Sequence, residues 1–240
     1  MRFSLILIFA VIFFLGSNAK TYVVCVGIAK YEDRTVPPLN KSENDAKAMA
    51  EFYKQGKADV TTITGKAATK RRILQTLSDI YSKAGTEDKI IFYFSGHGYA
   101  GGFCPYDVHS LNDGIKYTEL MEIMNKSEAE TKMVFADACN SGLIRTESLP
   151  KGTVLFFLAS RGGENSYESD SPFATFGYFT KNLLRGLRGA ADRDNDLKIS
   201  AQEIFDYVSA TTKEATRGDQ HPVMWGNFPN DMVIVKYNRK

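Results

Sequence analysis

Each of the residues best suited to chemistry follows an apolar segment that is typical of a buried strand. They are a cysteine, a histidine, two aspartates, two serines and a glycine, namely Cys139, His97, Asp45, Asp137, Ser95, Ser160 and Gly98. In an open parallel sheet, ligands bind outside the carboxyl ends of the strands. If these segments form neighbouring strands, the side chains meet in one crevice.

Cys139 and His97 in one crevice indicate a thiolate nucleophile with an imidazole partner, because a nearby imidazolium lowers the pKa of a thiol. The backbone N–H groups of Gly98 and Cys139 are predicted to form an oxyanion hole. A single cysteine after an apolar strand is more often a small buried hydrophobe. Catalysis is favoured here because the two residues stand at matching strand ends, whereas Cys25, between valines, is predicted to lie in the core.

The segments that must position these residues alternate between strand-like and helix-like patterns. Apolar runs predict strands over residues 22–28, 60–64, 89–94, 132–136, 153–159 and 232–237. Apolar residues at helical spacing predict helices over residues 44–54, 69–84, 117–125, 179–187 and 201–213. The alternation indicates an α/β fold with a mostly parallel sheet. The Gly-, Ser- and Asn-rich segment 162–177 is predicted to be a mobile loop.

The 240-residue chain is 43% hydrophobic and 24% charged, which excludes disorder and coiled coil as its main architecture. A formal net charge of +2 is too small to indicate nucleic-acid binding. Three cysteines cannot form a disulfide framework. CxxC and HExxH motifs are absent from the sequence, which leaves a zinc site without support. The predicted thiol chemistry requires no cofactor.

Residues 1–19 have the pattern of a signal peptide. Met1-Arg2 precedes an apolar run over residues 5–15, and Ser17 and Ala19 are small residues at the positions that a signal peptidase inspects. Cleavage after Ala19 would leave residues 20–240 as one exported domain, periplasmic or extracellular. The run is shorter than the roughly 20 apolar residues of a membrane span, although an uncleaved anchor is an alternative. The mature domain is expected not to enter the membrane.

Four segments resemble the caspase-like cysteine peptidases, and they are more similar to metacaspases and their bacterial relatives than to animal caspases. They are residues 22–28 (YVVCVGI), Leu39 with Asn44-Asp45-Ala46, residues 94–98 (FSGHG) and residues 137–142 (DACNSG). The SGHG and DACNSG pair, in this order, is specific. The resemblance implies the caspase–haemoglobinase fold, a three-layer α/β sandwich with a mostly parallel six-stranded sheet and helices on both faces.

The resemblance also implies peptide hydrolysis through an acyl-thioenzyme, with Cys139 as nucleophile and His97 as general acid and base. The predicted substrate-binding residues are Asp45, Ser95, Asp137 and Ser160. Asp45 and Asp137 match acidic pocket positions of metacaspases, and two carboxylates in a partly closed pocket favour Arg or Lys before the scissile bond. Asp45 has the alternative role of a helix N-terminal acid that interacts with the helix dipole.

Three other functions stay open on the sequence. A peptidase of the same fold could prefer Asp or Asn, a thiol hydrolase could act on non-peptide acyl groups, and a non-catalytic module with this fold could bind a partner, in one version with calcium. The leading prediction is a monomer, rather than an obligate dimer, that acts on a peptide or protein substrate. Only residues 143–152 separate the Cys139 turn from the next strand, which is short for a cleavable linker. Arg145 and Lys151 are the candidate self-cleavage sites.

The segment 192–203 has the acid spacing of an EF-hand calcium loop. The predicted metal-binding residues are Asp192, Asp194, Asp196, Lys198 and Glu203. Leu197 departs from the pattern because the sharp turn of the loop favours Gly, and a non-Gly residue in the left-handed conformation costs roughly 1–2 kcal/mol. The alternative is a capping box, in which Ser200 and Glu203 begin the following helix.

Overall fold

The computed structural model describes residues 19–168, 171 and 174–237. The strands of this part are β1 (Thr21–Gly27), β2 (Asp59–Thr64), β3 (Lys89–Ser95), β4 (Gly98–Tyr99), β5 (Gly102–Phe103), β6 (Ile115–Lys116), β7 (Thr131–Asp137), β8 (Thr153–Leu158), β9 (Lys198–Ser200), β10 (Val223–Asn227) and β11 (Val233–Lys236). The α-helices are α1 (Ser42–Gln55), α2 (Lys70–Tyr81), α3 (Tyr117–Lys126), α4 (Tyr178–Arg185) and α5 (Ala201–Ala215).

Six strands form the central sheet, in the order β10-β8-β7-β3-β1-β2. The strands from β8 to β2 are parallel, and β10 at one edge runs antiparallel to β8. Ser95 at the end of β3 pairs in register with Gly27 of β1 and Asp137 of β7. This register places the residues that follow the three strands side by side at the carboxyl ends of the strands. A ligand crevice is expected at this end of a parallel sheet.

Helices cover both faces of the sheet because side chains alternate along each strand. Val24 and Val26 of β1 belong to the apolar cluster beneath α2 and α3, whereas Val23 and Cys25 belong to the cluster beneath α1, α4 and α5. Cys25 is fully buried, which confirms its predicted place in the core. The predicted α/β sandwich, with a mostly parallel six-stranded sheet between two helical layers, is confirmed.

The predicted strand over residues 232–237 forms as β11, but it lies outside the central sheet and pairs with β9. The sixth strand of the sheet is β10, which the sequence analysis did not predict. Its sequence, VMWGN, is interrupted by Gly226, which weakens the apolar signal. A Cβ at Gly226 would lie 1.9 Å from the carbonyl oxygen of Val154, so the close approach of the two strands requires this glycine.

The segment 162–177 is tied together by contacts within the described residues. Glu168 and Gly177 form a β-bridge, and the N–H of Tyr178 donates to the carbonyl oxygen of Tyr167. Residues 169, 170, 172 and 173 lie outside the described residues, as does the predicted signal peptide apart from Ala19. Among the helices of the described ranges, none has the length and apolarity needed to cross a membrane.

Candidate active site

A cleft of about 490 Å³ opens at the carboxyl ends of β1, β3 and β7. The residues that line it are Leu39, Ser42, Asp45, Ser95, Gly96, His97, Gly98, Asp137, Cys139, Asn140, Asn165, Ser166, Tyr167, Glu168 and Gly177. The catalytic and substrate-binding residues predicted from the sequence therefore meet in one place, with the exception of Ser160.

Cys139 follows β7 in a turn that leaves its side chain half-buried. The next residue, Asn140, adopts the left-handed conformation with φ of 56°, which asparagine tolerates better than most side chains. Its Oδ1 accepts a hydrogen bond from the N–H of Gly163 at 3.0 Å, and this bond fixes the turn. The N–H of Ser166 donates to Cys139 Sγ at 3.4 Å. Burial raises the pKa of the Cys139 thiol, and the Ser166 donor opposes that shift because it stabilises the thiolate.

His97 directly precedes β4, and β4 pairs with β5 in a small antiparallel sheet. Its Nε2 lies 2.7 Å from the carbonyl oxygen of Pro37, and its backbone N–H donates to the Tyr31 hydroxyl at 2.8 Å. A carbonyl oxygen can only accept, so Nε2 carries the proton and Nδ1 is the basic nitrogen of the neutral ring. Among the hydrogen bonds of the described residues, none joins the imidazole to Cys139 Sγ. The two groups share the cleft and are separately positioned.

Gly98 lies against the turn that contains Cys139. A Cβ at this position would lie 2.3 Å from the carbonyl oxygen of Cys139, so any larger residue would displace the turn. The absence of a side chain at Gly98 therefore allows the close contact with the backbone of Cys139. The oxyanion hole formed by the N–H groups of Gly98 and Cys139 stays a prediction.

Asp45 lies in the first turn of α1 and is only 1% exposed. Its Oδ2 accepts a hydrogen bond from Ser95 Oγ at 2.9 Å, and its Oδ1 accepts one from the N–H of Gly177 at 3.1 Å. Both predicted positions therefore hold at once: the carboxylate is near the amino end of a helix and it lines the cleft.

Asp137 ends β7 and is also buried. Its carboxylate accepts hydrogen bonds from the Ser166 hydroxyl, from Thr180 Oγ1 at 2.6 Å and from the N–H of Thr180 at 3.1 Å. A Cβ at Gly177 would lie 2.8 Å from Asp137 Oδ2 and 3.3 Å from Asp45 Oδ2. The two carboxylates thus face a common space that stays open because residue 177 has no side chain.

Acidic side chains are in excess in the lining of the cleft. Burial raises the pKa of both Asp45 and Asp137, and the negative charge of Asp137 raises that of Asp45 further. Glu168, a third carboxylate in the lining, acts in the same direction. Among the described residues that line the cleft there is no lysine or arginine. A cation that enters the cleft would therefore meet buried acids with no competing positive side chain.

Asp45→Asn is expected to stabilise the folded chain at neutral pH and to have little effect in acid. A carboxyl group whose pKa is raised on folding contributes stability below its unfolded pKa of about 4, and this contribution is lost as the pH rises through the folded pKa. Asn can still accept from Gly177 and can donate to Ser95 without the buried charge. Urea unfolding near pH 7 should show a gain on the order of 1 kcal/mol. Asp59→Asn, at an exposed position, is the control; an equal gain at acidic pH would contradict the assignment.

Ser166, which was not predicted from the sequence, contacts both Cys139 and Asp137. Its N–H reaches Cys139 and its hydroxyl reaches Asp137. Gln220 holds it in place, since Nε2 of this fully buried side chain donates to Ser166 Oγ at 3.3 Å and to the carbonyl oxygen of Ala159 at 3.0 Å. Neither residue belongs to a periodic segment or a motif, so the sequence carried no signal for this network.

Glu168 is a second residue that the sequence analysis missed. Its two carboxylate oxygens accept the backbone N–H groups of Asn40 and Lys41, each at 2.8 Å. These donors lie just before α1, at the positive end of its dipole, so the carboxylate stabilises the start of the helix that carries Asp45. The contact joins residues 127 and 128 positions apart in the chain.

Ser160, predicted to bind substrate, is not brought to the cleft. Its side chain is fully buried, and its hydroxyl donates to the carbonyl oxygen of Ala138 at 3.2 Å. The prediction assumed that the residue after β8 would project into the crevice like those after β3 and β7. Ser160 is instead used to fix the backbone that leads to Cys139, and this corrects the expectation.

The loop over residues 192–203 brings three predicted calcium ligands together. Carboxylate oxygens of Asp192, Asp194 and Asp196 lie within 4.8 Å of one another. Leu197 adopts the left-handed conformation, with φ of 67°, and its N–H donates to Asp192 Oδ2 at 3.1 Å. The loop therefore makes its sharp turn without glycine. The Lys198 side chain pairs with Asp196 at 2.8 Å and is not part of the carboxylate cluster.

The fifth predicted ligand, Glu203, is engaged elsewhere. Its carboxylate accepts hydrogen bonds from the N–H of Arg193 at 3.1 Å and from the N–H of Ser200 at 2.9 Å. Ser200 Oγ in turn accepts from the N–H of Glu203, which confirms the alternative prediction of a capping box at the start of α5. Three of the five predicted metal ligands therefore form a cluster in the described residues.

The two candidate self-cleavage sites differ in their surroundings. Arg145 is exposed within a short 3₁₀ helix (Ser141–Thr146). The N–H of Lys151 donates to Asn125 Oδ1 at 3.1 Å, and its carbonyl oxygen accepts from Lys132 Nζ at 3.0 Å. A protease must extend the backbone around the scissile bond, so cleavage after Lys151 would break both long-range contacts, whereas cleavage after the exposed Arg145 would only unwind the short 3₁₀ helix.

Comparison with known proteins agrees with this architecture. The sequence profile of the caspase domain matches residues 20–233, and no curated protein matches the chain. The crystal structure of protein GSU0716 from Geobacter sulfurreducens is similar, with a TM-score of 0.67 and 18% identity, covering 86% of this chain and 92% of that chain. This likeness shows a shared fold, the caspase–haemoglobinase fold predicted above. Because the profile spans most of its length, this chain belongs to the caspase domain family.

Proposed function

We propose that this protein is a cysteine endopeptidase that hydrolyses peptide bonds after Arg or Lys, with Cys139 as nucleophile and His97 as general acid and base. One observation carries the proposal: two buried carboxylates, Asp45 and Asp137, face a common space in the cleft that Cys139 lines. A guanidinium or ammonium group of the substrate would fill that space and compensate the buried negative charge.

The chemistry needs only groups of this chain and water. Loss of the Cys139 proton to His97 gives a thiolate that attacks the peptide carbonyl carbon, and the oxygen that becomes negative is stabilised by backbone N–H donors. His97 then gives its proton to the leaving amine as the C–N bond breaks, which leaves a thioester on Cys139. A water molecule that loses a proton to His97 attacks the thioester, and release of the acid restores the thiol.

The contacts already described support this sequence of steps. The bond from Nε2 to Pro37 fixes the imidazole ring of His97 and leaves Nδ1 as the base. The N–H of Ser166 stabilises the sulfur when it becomes negative. The Ser166 hydroxyl also donates to Asp137, so the same residue positions the acidic pocket for the substrate side chain and the nucleophile Cys139.

The direct test is labelling of the protein with an acyloxymethyl ketone that carries Arg, beside one that carries Asp, with Cys139→Ala as control. We expect the Arg probe to label Cys139 and the Asp probe not to react. Labelling by the Asp probe alone would support a cysteine peptidase but contradict the proposal that Asp45 and Asp137 bind a basic side chain. A protein that reacts with neither probe, but whose Cys139 is alkylated by iodoacetamide, would favour a non-catalytic module or another acyl substrate.

We propose activity as a single, monomeric chain, with self-cleavage as an accessory event at Arg145. On prolonged incubation, wild-type protein should yield two fragments whose junction follows Arg145, and Arg145→Gln should remain intact. Lys151→Gln is the matched control, because its backbone is held by Asn125 and Lys132. Peptide hydrolysis should be within about twofold of wild type in Arg145→Gln, since this residue does not line the cleft. Cleavage after Lys151 instead of Arg145 would contradict the prediction that Arg145 is the preferred self-cleavage site.

We also propose that the cluster of Asp192, Asp194 and Asp196 binds calcium and that peptide hydrolysis does not require the ion. The cluster follows α4 and the π-helical segment Gly186–Ala190 that continues it, which together span roughly 15–20 Å from the acid pair at a rise of about 1.5 Å per residue. Calcium titration followed by calorimetry should show a site that Asp194→Asn weakens by about tenfold or more. Complete loss of hydrolysis on addition of a chelator would contradict independence from calcium.

The amino-terminal pattern supports a proposal of export. Cleavage after Ala19 would release a chain that begins at Lys20, which lies directly before β1. The domain would then meet its substrates in the periplasm or outside the cell.

A further inference from the structure

A second cleft, of about 540 Å³, opens at the opposite end of the central sheet. Its walls include Thr21, Lys89 and Met133 near the amino ends of β1, β3 and β7, the end of α1, and β11 with Tyr237. β3 is seven residues long, which corresponds to roughly 20 Å between its ends. This cleft is therefore separate from the one that contains Cys139.

The inner surface of this cleft is apolar. Ile91 and Met133 are each 1% exposed, and Ile234 on the opposite wall is 9% exposed. Phe52 and Val235 also belong to the lining and are half-buried. Ile91 and Met133 thus close the floor of the cleft, and an occupant would bury its apolar body mainly against Phe52 and Val235.

The rim of the cleft is positively charged. Lys57, Lys89, Arg188 and Lys236 all belong to the lining, and no acidic residue is found among the described residues that form it. None of these four cations forms an ion pair with a carboxylate of the described chain. The charge of the lining itself is consequently positive and complementary to an anion, although Asp192 is near enough to Tyr237 to raise the pKa of its hydroxyl.

Two tyrosines of the lining have buried hydroxyl groups with no hydrogen-bond partner in the described residues, namely Tyr53 and Tyr237. Tyr53 is only 8% exposed. Buried hydroxyls without partners are rare in folded proteins, because the lost hydration is not replaced. Burial raises the pKa of both groups, so each keeps its proton, and an acceptor that displaced the atoms covering a hydroxyl would gain a hydrogen-bond donor.

We propose that this cleft binds a small organic anion with an apolar body, of which a medium-chain carboxylate is the simplest example. The apolar body would contact Phe52, Val235 and Ile234, and the carboxylate would lie near Arg188 and Tyr237. The volume lies within the usual range of small-molecule sites, about 300–1,000 Å³. The proposal does not depend on peptidase activity.

The test is isothermal titration of the purified chain with sodium octanoate, beside octanol, which lacks the charge, and acetate, which lacks the apolar body. We expect saturable binding of octanoate at one site, and affinities at least about tenfold weaker for octanol and acetate. The double variant Lys89→Gln/Arg188→Gln should weaken octanoate binding by about tenfold or more. Tyr237→Phe and Tyr53→Phe, which remove one hydroxyl each, should weaken it by about threefold to tenfold.

Lys66→Gln/Lys126→Gln removes the same charge at positions outside the cleft and is the matched control. Equal weakening in this control would show that only the net charge matters and would overturn the site. Absence of saturable octanoate binding, or equal affinity for octanol, would overturn the proposed ligand class. Thermal unfolding of each variant without ligand would separate loss of the site from loss of the fold.

Discussion

Cys139→Ala is expected to lower kcat/KM for an Arg-containing fluorogenic peptide by at least about 10⁴-fold, because the covalent intermediate can no longer form. The side chain is half-buried and outside the main apolar clusters, so the variant should fold normally. The measurement is initial-rate hydrolysis, together with circular dichroism and urea unfolding to confirm an intact fold. Wild-type turnover in a folded Cys139→Ala protein would reject the nucleophile.

The chain offers a matched control in Cys104, a second half-buried thiol that does not line the cleft. Cys104→Ala should keep hydrolysis within about twofold of wild type. Burial raises the pKa of Cys104 to about 11, so it should react slowly with iodoacetamide near neutral pH. Alkylation of Cys139 should be faster than that of Cys104, since the Ser166 N–H stabilises only the Cys139 thiolate.

Asp137→Asn is expected to have the second largest effect and to act on specificity. We expect kcat/KM for an Arg substrate to fall by about 10²–10³-fold, because loss of one partner from a buried charge pair costs about 2–5 kcal/mol. A matched peptide with citrulline in place of Arg has nearly the same shape without the charge, and its slow cleavage should change little. An equal loss for both peptides would indicate damage to the nucleophile turn rather than to the pocket.

The pH profile and a second variant make this prediction sharper. Because the pKa values of Asp45 and Asp137 are raised, a cationic substrate can bind fully only as the pair loses its protons. The acidic limb of kcat/KM should therefore move to lower pH in Asp45→Asn, where the remaining carboxyl group has lost its like-charge neighbour.

Gly177→Ala should also disfavour Arg substrates, since its Cβ enters the shared space at 2.8 Å from Asp137 Oδ2. Its φ of −59° is accessible to alanine, so the effect would be steric.

The positions of most of the site residues could be predicted from the sequence. The apolar runs predicted the parallel strands, and the polar residues after them predicted the cleft edge, because residues after neighbouring parallel strands must meet at one end of the sheet. The register of Gly27, Ser95 and Asp137 then places Ser95 and Asp137 side by side. Ser160 shows the limit of this reasoning, since a strand-end position does not decide whether a side chain points to the cleft or to the core.

The contacts that support the site could not be derived in this way. Gln220 reaches Ser166 across 54 positions, and Glu168 reaches Asn40 across 128. Such contacts depend on where loops pack, and loops carry neither the helical nor the strand period that makes sequence patterns readable. The edge strand β10 was missed for a related reason, because Gly226 interrupts its pattern while satisfying a backbone contact with Val154.

The sequence by itself determined the α/β class and the core strands, and it predicted that Cys139, His97, Asp45 and Asp137 lie near the carboxyl ends of those strands. These properties follow from local patterns, because burial selects apolar runs and chemistry selects particular side chains. Only the tertiary structure decided that the two acids face one space at Gly177, that His97 is held by Pro37 and that a basic, apolar cleft lies at the other end of the sheet. Each of those features joins segments distant in the chain, and their meeting depends on packing that no single segment encodes.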